Sequence, residues 1–183
     1  MKSAISVCGK IGSGKSTILR ALSERYGWDI VSFGGYIKSL IADPNPPRET
    51  YQRLGQELFA SRGPKGLLED ALEFCKPQSD TYLIDGIRHV SVVHELRSIC
   101  SPTSVIFLSV SDDLRYQRFL NANSAADPMS YRDFLQMCKH PIEQGIDEIA
   151  SLADVVVDAS EDFGDIFELI NKDLRLGQHF SDK

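Results

Sequence analysis

"SVCGKIGSGKST", residues 6–17, decides how the rest of the chain is read. Gly9, Gly14, Lys15 and Ser16 fall at the spacing G-x-x-x-x-G-K-[ST], and Gly12 adds one more glycine inside the turn. The apolar run Ala4–Cys8 before it reads as a strand, and "KSTILRAL" after it reads as the start of an amphipathic helix. Glycines let such a turn point successive N–H groups inward, where an anion can approach them closely. A lysine at this position adds a point charge, the next hydroxyl is a cation ligand, and the helix aims the positive end of its dipole at the same spot.

The spacing and the strand–turn–helix context together define a P-loop, with Gly9, Lys10, Ile11, Gly12, Ser13, Gly14, Lys15, Ser16 and Thr17 as its binding residues. Working outward, strands are expected at Asp29–Phe33, Tyr82–Asp85, Ser104–Val110 and Asp154–Asp158. "SVIFLSV" (104–110) and "ADVVVDA" (153–159) are near-continuous apolar runs, as strands buried on both faces of a parallel sheet require. Helical patterns lie between them at Lys15–Tyr26, Gly35–Ile41, Tyr51–Ser61, Lys65–Phe74, Val90–Ile99, Leu114–Ala122, Tyr131–Lys139, Ile142–Leu152 and Asp162–Leu176. Strands separated by helical crossovers imply right-handed βαβ units and a three-layer α/β fold. "ADPNPPRET" (42–50) is a loop, because its prolines cannot continue a helix. "NANSAADPMS" (121–130) reads as a second loop, and His140-Pro141 as a helix start with proline in the first turn.

The 183 residues fit one domain, with 42% apolar and 25% charged residues, the balance of an ordinary globular protein. No apolar run approaches the roughly 20 residues that span a bilayer. No secretory leader is legible, which predicts a cytoplasmic protein without a membrane partner. Cys8, Cys75, Cys100 and Cys138 form no CxxC pair and are expected as reduced thiols. A formal charge of −6 argues against a nucleic-acid partner.

Beyond the P-loop, the chain resembles the P-loop nucleotide kinases, a group that includes nucleoside monophosphate kinases and dephospho-CoA kinase. The resemblance is carried by "GKIGSGKST" (9–17), "VSFGGYIKSL" (31–40), "YLIDGIRHV" (82–90), "FLSVSDDLRYQRF" (107–119) and "LADVVVDASEDFGDIFELI" (152–170). It implies a five-stranded parallel sheet in the order 2-3-1-4-5 and a single domain over 1–183. An acceptor-binding helical region would span about 34–75 and a short lid about 115–131. It further implies ATP and Mg²⁺ as cofactors and transfer of the γ-phosphoryl group to a small phosphorylated acceptor, a (deoxy)nucleoside monophosphate, with dephospho-CoA as the alternative.

Within that resemblance, Lys15, Asp85, Arg88, Arg115 and Arg118 are the candidate catalytic residues, and Ser16 with Asp85 the Mg²⁺ ligands. Asp85 ends an apolar strand, where α/β sheets place their ligands; capping of the next turn is the alternative role. Arg88 is either a bidentate phosphate clamp or one half of a surface ion pair. Arg115 and Arg118 are three apart on one helical face, so either or both are lid arginines, with Asp112 as a local partner. On the acceptor side, Phe33, Gly34 and Tyr36 are pocket floor or core, and Lys38 or Arg53 reaches a phosphate.

The departures narrow the resemblance. The acidic residues that dephospho-CoA kinases carry after the second strand are replaced by "SFGGY" (32–36), and "DGIR" (85–88) lacks the Phe-Pro of adenylate kinases. A GTPase would need Asn-Lys-x-Asp, and "NKDL" (171–174) fails at its last position. A nucleotide-dependent regulatory ATPase acting on a protein partner is the alternative of another class.

Overall fold

The computed structural model describes residues 2–44, 46–122 and 129–174. Strand β1 (Ser3–Cys8) lies at the centre of a five-stranded parallel sheet, ordered β2-β3-β1-β4-β5 with β2 (Asp29–Ser32), β3 (Thr81–Asp85), β4 (Thr103–Ser109) and β5 (Val155–Asp158). That is the expected order. Side chains alternate along each strand, so Ala4 and Cys8 enter one core while Ile5 and Val7 enter the other. Both faces of the inner strands are apolar because helices cover both, which is why β1 and β4 read as near-continuous apolar runs. Strand β5, expected to be buried on both faces, is an edge strand that leaves Val156 57% exposed.

One face carries α1 (Lys15–Tyr26) through Ile18, Leu19 and Leu22, and α9 (Phe163–Leu174) through Ile166, Phe167 and Ile170. The other carries the second half of α3 (Arg48–Cys75) through Leu67, Leu68 and Ala71. Beside it lie α4 (Val90–Ile99) through Val92, Val93 and Leu96, and α8 (Ile146–Ala150) through Ile146 and Ile149. Each of these fully buried aliphatic side chains stabilises the fold by about 1.5–3 kcal/mol relative to exposure. Shorter elements complete the chain: α2 (Phe33–Ser39), α5 (Asp112–Ala122), α6 (Tyr131–Cys138) and α7 (Pro141–Gln144).

Three expectations need correction. Strand β2 stops at Ser32, one residue early, because the Ser32 hydroxyl accepts the Gly35 N–H at 3.1 Å and starts α2 at Phe33. The helices expected at 51–61 and 65–74 run as one element from Arg48 to Cys75, kinked at Gly63 (φ 66, ψ 177) ahead of Pro64. The helix expected at 142–152 divides at Gly145 into α7 and α8. The start of α7 is as expected, with Pro141 in its first turn and the His140 ring nitrogen accepting from Ile142 N at 3.4 Å.

Cys8, Cys75, Cys100 and Cys138 form no disulfide. Among the described residues, no helix is long and apolar enough to cross a membrane. The expected lid overlaps residues 123–128, and the expected last helix extends to Leu176; those parts lie outside the described residues.

Candidate nucleotide and acceptor site

The carboxyl ends of β1, β2 and β3 meet in register, Val7 beside Asp85 and Ser32 beside Asp85, so the P-loop and the Asp85-Gly86 turn open on the same edge. The loop from Gly9 to Gly14 leads straight into α1, whose N-cap is Gly14 and carries no side-chain cap. No side chain competes with an anion for its first turn, where the Thr17 N–H donates to the Gly14 carbonyl at 3.0 Å. Gly12 has φ +81, and a Cβ there would lie 2.3 Å from the Arg115 carbonyl oxygen, so α5 presses against the back of the loop and only glycine fits.

Lys15 donates to the Lys10 carbonyl at 2.8 Å and to the Ser13 hydroxyl at 3.4 Å, folded back into its own loop. Burial pushes its pKa down to about 7, the Arg88 charge pushes the same way, and Asp85 and Glu143 oppose them. Lys15, Arg88, Asp85 and Glu143 thus share one electrostatic field from three separate segments, Asp85 and Arg88 lying on the same strand-end turn. The field holds its cations at a cost, which is the state of a site built for added negative charge.

Two hollows flank this cluster. The larger, about 590 Å³, runs from Gly12–Thr17 past Arg118 and Asn121 to Ala159 and Phe163, with Leu108 and Ile166 as apolar wall. Arg118 bridges it, donating to the Ala159 carbonyl at 2.7 Å and the Ser13 carbonyl at 3.4 Å. The smaller, about 210 Å³, lies on the other side and includes Phe33, Gly34, Arg48, Gly86, Arg88 and Glu143 in its wall. There Arg88 stands 3.2 Å from a carboxylate oxygen of Glu143, while at the paired ends of β2 and β3 the Ser32 hydroxyl donates to Asp85 at 3.4 Å.

The structure therefore gathers Lys15, Ser16, Asp85, Arg88, Arg118, Phe33 and Gly34 around one edge of the sheet. It does not bring the others there. Arg115 is 2% exposed, and donates to the Ile11 carbonyl at 2.9 Å and to the Asp112 carboxylate, fastening the P-loop from behind. Tyr36 is half-buried and donates to Asp70 at 3.3 Å, packing with the core on the α3 side. Arg53 is exposed and pairs with Glu57 one turn along its helix, while Lys38 is exposed on α2. Lys10 turns outward to Asp147 at 2.8 Å, an exposed pair of small energetic weight.

Arg48, Gln52 and Glu143 also line the smaller hollow, and no sequence motif had marked them. Arg48 follows the prolines of the 42–50 loop, the one local sign that a cation there is held at a fixed point. No spacing links Glu143 to Arg88, 55 positions away, so no sequence signal was available for it.

This fold, a five-stranded parallel sheet with a P-loop at the head of α1, is that of a P-loop protein. The chain belongs to the AAA domain family, whose pattern matches residues 5–132. A UPF0200 protein of Pyrobaculum aerophilum is 28% identical over 157 residues, covering 86% of this chain and 87% of that protein. A UPF0200 protein of Pyrococcus abyssi is 24% identical over 166 residues, covering 87% and 88%. Among solved structures, a shikimate kinase from Bacteroides thetaiotaomicron superposes with TM-score 0.59 at 18% identity, covering 95% of this chain and 99% of that one. A gluconokinase from Sinorhizobium meliloti gives 0.58 at 18% identity, covering 97% and 98%.

Proposed function

We propose that this protein is an ATP-dependent phosphotransferase that moves the γ-phosphoryl group to a small phosphorylated acceptor, a (deoxy)nucleoside monophosphate. One observation carries the reading: Lys15, Asp85 and Arg88 converge between a nucleotide-sized hollow and a smaller cationic one. Phosphoryl transfer asks a protein mainly to align two substrates and to stabilise charge on the moving group, and this is the place for both.

In this reading the P-loop N–H groups and Lys15 hold the β- and γ-phosphates, and Arg118, Ala159 and Phe163 border the base. Arg88 and Arg48 hold the acceptor's anion over the floor made by Phe33 and Gly34. Asp85 orients the acceptor oxygen. The region 34–75 is the acceptor-binding part of a single domain.

Mg²⁺ fits the donor set. No group of three or more His, Cys, Asp or Glu among the described residues is placed to hold a metal by itself. Ser16 and Asp85 supply oxygens beside the loop, the partial set expected of an ion that shares its ligands with substrate phosphates and water. Bound there, the ion would neutralise charge on the β- and γ-phosphates.

The deciding experiment incubates the protein with γ-labelled ATP, Mg²⁺ and a panel of nucleoside monophosphates plus dephospho-CoA. Label entering one monophosphate supports the proposal, and label entering dephospho-CoA would transfer it to that acceptor. The AAA domain match favours a second reading, a regulatory ATPase acting on a protein partner. ADP release that no acceptor stimulates and a protein partner does would favour it.

A further inference from the structure

Glu143 is a carboxylate that the proposed transfer leaves without a task. It is 6% exposed, and a buried carboxylate is costly unless it is paired and hydrogen-bonded. One oxygen accepts from the Gln52 amide at 3.3 Å. The other stands 3.2 Å from Arg88 yet makes no hydrogen bond, so it is covered by the guanidinium and not saturated by it. The backbone fixes this pairing. A Cβ on Gly145 would sit 2.6 Å from the Arg88 carbonyl oxygen, so the end of α7 closes directly on the strand-to-helix turn that carries Arg88.

In the wall of the small hollow, two cations, Arg48 and Arg88, stand against one carboxylate, Glu143. The surplus cation invites an anion, and the anion would draw the Arg88 fork away from Glu143. That movement uncovers an oxygen with free acceptor capacity inside the pocket. An unsatisfied buried acceptor is unfavourable, so a ligand offering only an anion is disfavoured and one that adds a hydrogen-bond donor is not. The surplus cation makes a neutral hydroxyl the suitable donor and a second ammonium an unsuitable one.

We infer that the acceptor is a hydroxylated phosphate ester, its anion held by Arg48 and Arg88 and a neighbouring hydroxyl read by Glu143. This rests on the kinase reading of the site and adds to it the residue, Glu143, that reads the acceptor's hydroxyl and sets specificity.

The test titrates the full chain, without nucleotide, against ethyl phosphate and against glycerol 3-phosphate. The wild type should bind glycerol 3-phosphate about tenfold more tightly than ethyl phosphate, the scale of one satisfied buried acceptor. Glu143→Gln should bind ethyl phosphate more tightly than the wild type, because Arg88 is released, and should lose the preference. A structural ion pair alone predicts no preference in the wild type, a readout that does not depend on the variant folding. Equal binding of the two esters, no binding of either, or a preference surviving in Glu143→Gln overturns the inference. Because ATP is absent, these outcomes are separate from a failure of label transfer, which would remove the kinase reading instead.

Discussion

Lys15 is where the chemistry of the site is concentrated. In the folded chain its pKa is depressed to about 7 from 10.5. The folded chain therefore binds less proton than the unfolded chain between those values. The destabilisation is full below about pH 7 and is relieved as pH rises towards 10.5. A polyphosphate beside the amine reverses the shift, so ATP binding inside that window should take up a proton. Calorimetry in buffers of different ionisation enthalpy should show a buffer-dependent heat at about pH 8.5, absent in Lys15→Ala. A heat independent of buffer would contradict the account. Arg88→Ala should lower the transfer rate by about 10²-fold, as expected of a preorganised charge donor. It should also cost about 3 kcal/mol of stability by leaving Glu143 uncompensated. A rate within twofold of wild type, in protein still folded by circular dichroism, would return Arg88 to a purely structural pairing.

At the scale of elements, α5 shows what local spacing conveys and what it does not. Arg115 and Arg118 are about 60° apart around the helix, near enough for the sequence to treat them alike. The P-loop separates them: Arg115 lies behind it, bonded to Ile11, and Arg118 lies in front, bonded to Ala159. Arg115→Met should therefore destabilise the protein by about 3 kcal/mol in denaturant unfolding, since it leaves the buried Ile11 carbonyl unpaired and Asp112 without its cation. Arg118→Ala should leave the unfolding midpoint nearly unchanged and weaken ATP binding. The reverse pattern would show that the two roles are exchanged. The inner strands β1 and β4 were legible because burial on both faces leaves a near-continuous apolar run. The ends of α1 were legible because Gly14 and Gly27 cap it, and α4 because its apolar spacing is a local signal. The site was legible only where a local motif marks it. Gly9 to Thr17 announce themselves, and Asp85 and Arg88 follow from a strand end. The Glu143–Arg88 contact is tertiary, made where α7 ends at Gly145 against the Arg88 turn, and has no local signature.

Across the whole molecule, the sheet order follows from right-handed crossovers and places every ligand-facing loop on one edge. A ligand that binds only the folded state should stabilise the domain as a unit. ATP with Mg²⁺ at a hundred times its dissociation constant should add about 2.7 kcal/mol to unfolding. The most direct test of the central claim is titration of ATP and Mg²⁺ into the full chain by calorimetry, beside Lys15→Ala. The account predicts one saturable site in the wild type and its loss in the variant. No heat in the wild type, or equal binding by both proteins, would contradict it.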